Sequence, residues 1–158
     1  MTNVFTYGSL MFDRVWSRVV AGRYIAVAAT LPGFQRQRVR GQDYPSLEPS
    51  PAAGDPAAGV EGILYLGVAD PDLGALDEFE GPDYRRIQVE VILQEQPTGA
   101  ALAGPAAGSR LAADTYLFTA REKVEPGPWD PQRFEREWMD RFLTDYPPAS
   151  APGGRARG

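Results

Sequence analysis

Residues 4–10 read Val-Phe-Thr-Tyr-Gly-Ser-Leu, and they predict a buried strand that ends in a tight turn. The four residues from Val4 to Tyr7 are β-branched or aromatic, which is the composition of a pleated strand in a protein interior. Gly8 then interrupts the strand, because glycine enters conformations that other residues avoid. From Phe12 onward apolar residues recur three and four positions apart, which is typical of one face of a helix. The chain therefore begins with a strand, a Gly-Ser turn and a helix.

The Gly-Ser turn has two explanations. The first backbone N–H groups of a helix have no partner inside it, so they are natural donors to an anion or to a polarised carbonyl group. Ser9 also belongs to the residue types that cap helices, and a cap alone would account for its place. Considered without the rest of the chain, the turn is explained better by the cap.

The length and composition predict one domain. The chain has 158 residues, of which 43% are apolar and 23% are charged, ordinary values for a globular protein. We expect this domain to span residues 1–146, followed by a disordered tail of Pro, Gly and Ala over 147–158. No apolar run approaches the roughly 18 residues that cross a bilayer, and there is no secretory signal pattern. These features predict a cytoplasmic protein without a membrane partner.

The residue types that are missing limit the possible chemistry. The chain has no cysteine and no histidine. Thiol nucleophiles, thiolate metal sites and the Ser-His-Asp arrangement are thereby excluded. The one lysine, Lys123, lies in a polar segment. If the protein is an enzyme, we expect a carboxylate to transfer the proton.

The net charge of −5 argues against a nucleic-acid partner, since phosphates attract basic surfaces. One local exception is the alternation of Arg36, Arg38 and Arg40, which would share one face of a strand. A solvated outer face is the first interpretation of these arginines, and a patch that steers a substrate is the second. Nothing in the sequence specifies an oligomeric state.

Further strands are predicted from β-branched and aromatic runs at 24–31, 34–39, 60–68, 84–93 and 113–118. Pro32-Gly33 is a turn signal that predicts a hairpin between the first two of them. A short strand over 44–47 contains Pro45, so it is predicted to be an edge strand or an irregular strand.

The remaining elements complete the predicted fold. One helix is predicted to begin at Asp70-Pro71 and to end at Gly81-Pro82, and a last helix begins at Pro131. Residues 49–59 and 97–110 are predicted to be mobile loops because they are rich in Ala, Pro and Gly. Strands joined by short turns, with few helices, predict an α+β domain whose mainly antiparallel sheet can close into a barrel.

Glu80 is the candidate catalytic acid. Leu76 and Phe79 lie beside it on the predicted helix, because residues three and four apart are neighbours on one face. Partial burial raises the pKa of a carboxyl group, and so does the negative end of a helix dipole. The alternative is an ion pair of Glu80 with Arg85 or Arg86 that locks the following turn. Spacing alone slightly favours that ion pair.

A resemblance to a known family reverses this order. Tyr7-Gly8-Ser9-Leu10, together with Leu76-Asp77-Glu78-Phe79-Glu80-Gly81 before Tyr84, resembles the γ-glutamylcyclotransferase-like, AIG2-like superfamily. The resemblance extends from Val4 to Phe118, and it is the separation of the two motifs that makes it specific. Members of this superfamily have a small mixed β-barrel flanked by helices.

The resemblance implies a reaction and its residues. The α-amine of a γ-glutamyl compound attacks the side-chain amide carbonyl of the same molecule, which gives 5-oxoproline and a free amine. The family's catalytic glutamate matches Glu80. The residues of its substrate loop match Tyr7, Gly8, Ser9 and Leu10. No cofactor is implied, and the expected partner is a small-molecule substrate.

Two alternatives follow from the same resemblance. Superfamily members act on γ-glutamyl amino acids, glutathione, γ-glutamylamines or protected biosynthetic intermediates, so the leaving amine stays open. The chain can also be a binding protein that keeps the pocket without turnover. Tyr116 is a weaker site candidate, because an aromatic residue in an apolar strand is more often part of the core.

Overall fold

The computed structural model contains a closed five-stranded barrel, a separate three-stranded sheet and several short helices. It describes residues 1–40, 45–50, 59–97, 105–125, 127 and 129–145. The predicted tail over 147–158 lies outside these residues, as do the central parts of the two predicted loops, 51–58 and 98–104.

The barrel confirms the predicted α+β class. Its strands are β1 (Thr2–Thr6), β2 (Ala26–Pro32), β5 (Gly59–Val68), β6 (Tyr84–Leu93) and β7 (Arg110–Phe118). They follow the order β1-β5-β2-β6-β7, and β7 closes the barrel by lying parallel to β1. The other neighbouring pairs are antiparallel. The sheet is therefore mixed and mainly antiparallel, as predicted.

The predicted hairpin at Pro32-Gly33 is wrong. The second sheet consists of β3 (Phe34–Val39), β4 (Pro45–Pro49) and β8 (Val124–Glu125), with β3 in the middle. A strand has two hydrogen-bonding edges, and those of β2 are occupied by β5 and β6. The chain therefore leaves the barrel at Gly33, and β3 begins a different sheet. The predicted edge position of β4 is confirmed.

The helices lie outside the barrel. They are α1 (Asp13–Val19), α2 (Asp70–Glu80), α3 (Pro131–Arg133) and α4 (Met139–Asp145), with a π-helical turn over Phe134–Trp138. Helix α2 ends as predicted at Gly81, whose φ of +79° suits glycine. None of the helices in the described ranges is long and apolar enough to span a membrane. The cytoplasmic location stays a prediction from the sequence.

Two apolar clusters make up the core. The first fills the barrel and includes Phe5, Tyr7 and Leu64. The second lies between the barrel and the helices, and it includes Leu10 and Leu76. The segment from Tyr7 to Leu10 thus runs from one cluster to the other. Each end of the segment is therefore packed in one of the two core clusters.

Candidate active site

A short 3-10 turn (Ser9–Met11) follows β1 after Tyr7 and Gly8. The Met11 amide donates to the carbonyl oxygen of Gly8 (3.0 Å), and the Phe12 amide donates to that of Ser9 (3.2 Å). Neither bond uses the amides of residues 8–10. These N–H groups therefore have no partner within the turn, as expected for the start of a helical turn.

The capping explanation for Ser9 is wrong. Ser9 is buried inside the 3-10 turn, and α1 is preceded by Phe12, which provides no side-chain cap. Gly8 is required for a different reason from the one predicted, since its φ is −127°. A Cβ atom on Gly8 would lie 2.9 Å from Cδ of Pro45. The close approach of β4 to the turn therefore excludes a larger residue.

Glu80 is the last residue of α2 and is partly buried. Its helix neighbours Leu76 and Phe79 are in the core, as the sequence predicts. Across the described residues, the Glu80 carboxyl group has no hydrogen bond or ion pair. Loss of hydration raises the pKa of Glu80 to about 8, and the negative charge of Asp77 adds to this effect. The group therefore holds its proton through most of the neutral range.

The predicted ion pair of Glu80 with Arg85 or Arg86 does not form. Nε of Arg86 lies 3.1 Å from Asp77, and Nη1 of Arg86 lies 2.9 Å from Asp114. The guanidinium group is held between these two carboxylates, so it does not turn to Glu80. Asp77 is exposed and takes part in this pair.

Two buried tyrosines donate their hydroxyl protons to acceptors other than Glu80. The Tyr116 hydroxyl donates to Oδ1 of Asp77 (2.6 Å), and the Tyr7 hydroxyl donates to the backbone oxygen of Tyr116. Burial is the main reason that the pKa of each phenol is raised. A phenol has a single proton. Each oxygen therefore offers only lone pairs to any further group.

The turn and Glu80 line the same cavity. The space between the lining residues, with the open solvent at the mouth included, is about 400 Å³. All of the residues predicted from the sequence line it, namely Tyr7, Gly8, Ser9, Leu10 and Glu80. In the described residues no group of acidic side chains has an arrangement that would hold a metal ion. The structure thus brings the predicted residues together, and their roles stay a prediction.

Several residues of this cavity were not predicted as site residues from the sequence or were ranked low. Tyr116 is a core residue as predicted, but it also lines the cavity wall. Tyr84 and Pro45 complete the wall, and the Tyr84 hydroxyl donates to the Pro45 oxygen (2.7 Å). Tyr84 follows the Glu80 segment closely, which is the one sequence signal that could have indicated it.

The interpretation of the arginines on β3 as a solvated face is wrong for Arg36. Arg36 is partly buried, and its Nη1 donates to the backbone oxygen of Tyr7 (3.1 Å). Arg38, two residues further on, is exposed. Arg36 and Arg38 therefore lie in different environments, although the sequence places them in one alternating pattern.

Comparisons with known proteins find relatives that match most of this chain. A family model described as "Gamma-glutamyl cyclotransferase, AIG2-like" matches residues 4–133. AIG2-like protein D of Arabidopsis thaliana is 34% identical over 145 residues, which cover 90% of this chain and 85% of that protein. AIG2-like protein A of the same plant is 30% identical, with 91% of this chain and 78% of that protein covered.

Solved structures show the same fold. A solution structure of an Arabidopsis thaliana protein has a TM-score of 0.61 and 29% identity, covering 90% of this chain and 86% of the other. A structure named gamma-glutamyl cyclotransferase has a TM-score of 0.59, and it covers 98% of this chain and 93% of the other. Its identity is 20%, so that likeness concerns the fold alone. The resemblance and the fold class predicted from the sequence are confirmed.

Proposed function

The chain belongs to the gamma-glutamyl cyclotransferase, AIG2-like family, and on that premise we propose that it converts γ-glutamyl compounds to 5-oxoproline. The released product is a small amine or an amino acid. Glu80 is the proposed general base and acid, and the Tyr7–Leu10 turn is the proposed substrate loop. One observation carries the proposal. A poorly hydrated carboxyl group without an ion pair in the described structure lines the same cavity as that turn.

In the proposed reaction Glu80 takes up one proton from the substrate and later gives one proton back. Glu80 takes a proton from the α-ammonium group of the substrate, which makes the nitrogen a nucleophile. That nitrogen forms a bond to the γ-carbonyl carbon, and the original amide bond breaks. Glu80 then returns a proton to the departing nitrogen. The ring nitrogen loses its second proton as the lactam forms, and the released amine takes up this proton and leaves as an ammonium ion. Attack within one molecule needs no second reactant to be brought into place, so orientation supplies much of the acceleration.

The cavity wall near Glu80 suits a cation. The hydroxyl oxygens of Tyr7 and Tyr116 offer lone pairs there, because their protons are used elsewhere. An ammonium group has only donors, so it complements these oxygens. A bound cation also lowers the pKa of a neighbouring carboxyl group. Substrate binding therefore favours the ionised Glu80 that the first step requires.

The turn supplies the complementary donors. The amides of residues 8–10 take no part in the turn's own hydrogen bonds. Such preorganised N–H groups stabilise a substrate carboxylate or the oxyanion that develops at the attacked carbonyl. The cavity thus combines an acceptor side and a donor side. This division matches a γ-glutamyl group, which carries both an ammonium and carbonyl oxygens.

The test is a product assay with three compounds: γ-glutamyl-ε-lysine, γ-glutamyl-alanine and glutathione. We expect 5-oxoproline from at least one of them, and loss of this product with Glu80→Gln. Glu78→Gln is the matched control, since Glu78 is an exposed acid on the same helix. Turnover that Glu80→Gln leaves unchanged would eliminate the proposed mechanism.

The same assay separates an enzyme from a binding protein. A non-catalytic binding protein would show a higher melting temperature with a γ-glutamyl compound and no 5-oxoproline. An enzyme would form 5-oxoproline at a rate proportional to its concentration. The raised pKa of Glu80 favours the enzyme, because binding a cation requires only a charged carboxylate.

A further inference from the structure

Arg36 contacts the substrate turn from outside the cavity. Its Nη1 lies 3.1 Å from the backbone oxygen of Tyr7 and 3.8 Å from Sδ of Met11. These two residues stand at the beginning and the end of the turn. The Arg36 guanidinium also lies over the Trp129 ring, 5.7 Å from its centre. One side chain of the second sheet therefore joins the turn to the C-terminal segment.

The bond to Tyr7 has a geometric consequence for Gly8. The carbonyl of Tyr7 and the N–H of Gly8 belong to one planar peptide unit, and no peptide bond in the described structure is cis. In a trans peptide unit the C=O and the N–H point in opposite directions. A group that fixes the Tyr7 oxygen on one side therefore fixes the Gly8 N–H towards the other. Tyr7 and Gly8 line the cavity, and Arg36 does not.

We propose that Arg36 is a positioning residue, which holds the Tyr7 carbonyl behind the turn and thereby directs the Gly8 amide into the cavity. One part of this inference rests on the proposed function, namely that the Gly8 amide binds an oxygen of the γ-glutamyl substrate. The positioning of the amide by Arg36 does not depend on it. Without Arg36 the peptide unit between Tyr7 and Gly8 loses the partner that fixes its rotation. The donor side of the cavity is then no longer preorganised.

Arginine suits this task better than lysine. The guanidinium group is a planar fork that donates in its plane and stacks through its face. In Arg36 one guanidinium nitrogen donates to the turn, while the guanidinium carbon lies over the Trp129 ring. A lysine ammonium can reach one acceptor, but it has no face to stack in the same way. We therefore expect Arg36→Lys to recover part of the function of Arg36, and Arg36→Met to recover none.

The most direct test measures the orientation of the Gly8 N–H bond. Residual dipolar couplings of backbone amides report bond directions, and they can be compared between the wild type, Arg36→Met and Arg40→Met. Arg40 is the matched control because it is exposed and donates to Glu122, away from the turn. We expect the Gly8 coupling to change in Arg36→Met only, with the couplings of the β5 amides unchanged.

A kinetic test follows with the γ-glutamyl compound that turns over fastest. We expect kcat/KM of Arg36→Met to fall about 10- to 100-fold, since small displacements of catalytic donors cost this much. Arg36→Lys should lie between it and the wild type, and Arg40→Met should match the wild type. A merely structural arginine would lower the melting temperature and leave kcat and KM of the folded protein unchanged.

The outcomes keep the two proposals apart. If no γ-glutamyl compound gives 5-oxoproline with the wild type, the proposed function fails, and the couplings still test Arg36. If the Gly8 coupling is the same in Arg36→Met and the wild type, the positioning role is overturned whatever the activity. Should Arg36→Met not fold, Arg36→Gln undergoes the same comparison with the same expected change at Gly8, and Arg36→Lys should show a smaller change.

Discussion

The two ends of α2 carry acidic residues in opposite situations. Near the beginning, Asp72 accepts hydrogen bonds from the amides of Ala21 and Gly22, each at 3.2 Å. The Tyr24 hydroxyl adds a third at 2.5 Å. At the end, Glu80 accepts no hydrogen bond in the described part of the chain. The helix dipole favours the first charge and disfavours the second.

This difference distinguishes an acid that stabilises the fold from an acid that is available for chemistry. The three donors around Asp72 connect α2 to the segment after α1, so its charge serves a structural purpose. Glu80 has lost hydration without gaining such donors, and its neutral form is favoured as a result. Both acids are carboxyl groups on one helix. Their contrast therefore comes from their hydrogen-bond partners, their hydration and the end of the helix dipole at which each lies.

The largest expected effect is on activity. Glu80→Gln should lower kcat by about 10²- to 10⁴-fold, because it removes the group that carries the proton. Asp72→Asn should leave kcat of the folded protein within a few-fold of the wild type, since Asp72 does not line the cavity. Steady-state formation of 5-oxoproline measures both. Equal losses of kcat in the two variants would contradict the distinction between a catalytic Glu80 and a structural Asp72.

Stability should respond to Glu80 in the opposite direction. The pKa of Glu80 is raised to about 8 in the folded protein from 4.5, so the fold favours the protonated form. Wild-type stability should therefore fall as the pH rises from about 4.5 through 8. Glu80→Gln cannot ionise, and it should be more stable at pH 9 by on the order of a few kcal/mol. Urea unfolding at pH 4 and pH 9 measures this, and a destabilised variant at pH 9 would contradict it.

Asp72→Asn should destabilise the fold. An asparagine keeps one acceptor oxygen but loses the charge, and it places an NH₂ group near the amides of Ala21 and Gly22. Charged hydrogen bonds of this kind are worth about 1.5–3 kcal/mol, so we expect a loss of about 1–3 kcal/mol. Chemical denaturation at pH 7 provides the measurement. Asp70→Asn, on an exposed acid of the same first turn, is the control that should change little.

Asp77→Asn should have the smallest effect. The charge of Asp77 contributes less to the raised pKa of Glu80 than loss of hydration does. In a plot of kcat/KM against pH, the rising limb reports the ionisation of Glu80. Removal of the Asp77 charge should move the midpoint of this limb to lower pH by less than about one unit. The variant keeps an acceptor for the Tyr116 hydroxyl, so the cavity wall is preserved. A limb that moves to higher pH would mean that Asp77 does not act on Glu80 through its charge.

The sequence was a good guide wherever local pattern decides structure. The β-branched run before Gly8 predicted β1, and the alternation over 84–93 predicted the bounds of β6. The position of Glu80 beside Leu76 and Phe79 predicted a partly buried acid at the end of α2, because helix spacing alone sets that neighbourhood. Loss of hydration, which raises the pKa of Glu80, follows from the same spacing.

The sequence was a poor guide wherever two distant segments meet. Pro32-Gly33 resembles a hairpin turn, and only the pairing of β2 with β5 and β6 shows that β3 joins another sheet. Arg36 was taken for a solvated residue for the same reason, since its partner Tyr7 lies on a different element. No local pattern encodes such a contact. The need for glycine at position 8 likewise comes from Pro45 of β4.

The central claim is that Glu80 holds its proton near neutral pH because its carboxyl group is poorly hydrated and lacks donors. The most direct measurement is the ¹³C chemical shift of its side-chain carboxyl carbon as a function of pH, assigned by comparison with Glu80→Gln. We expect a titration midpoint near pH 8. A midpoint near the ordinary 4.5 would show a well-hydrated carboxylate, and it would contradict the proposed role of Glu80.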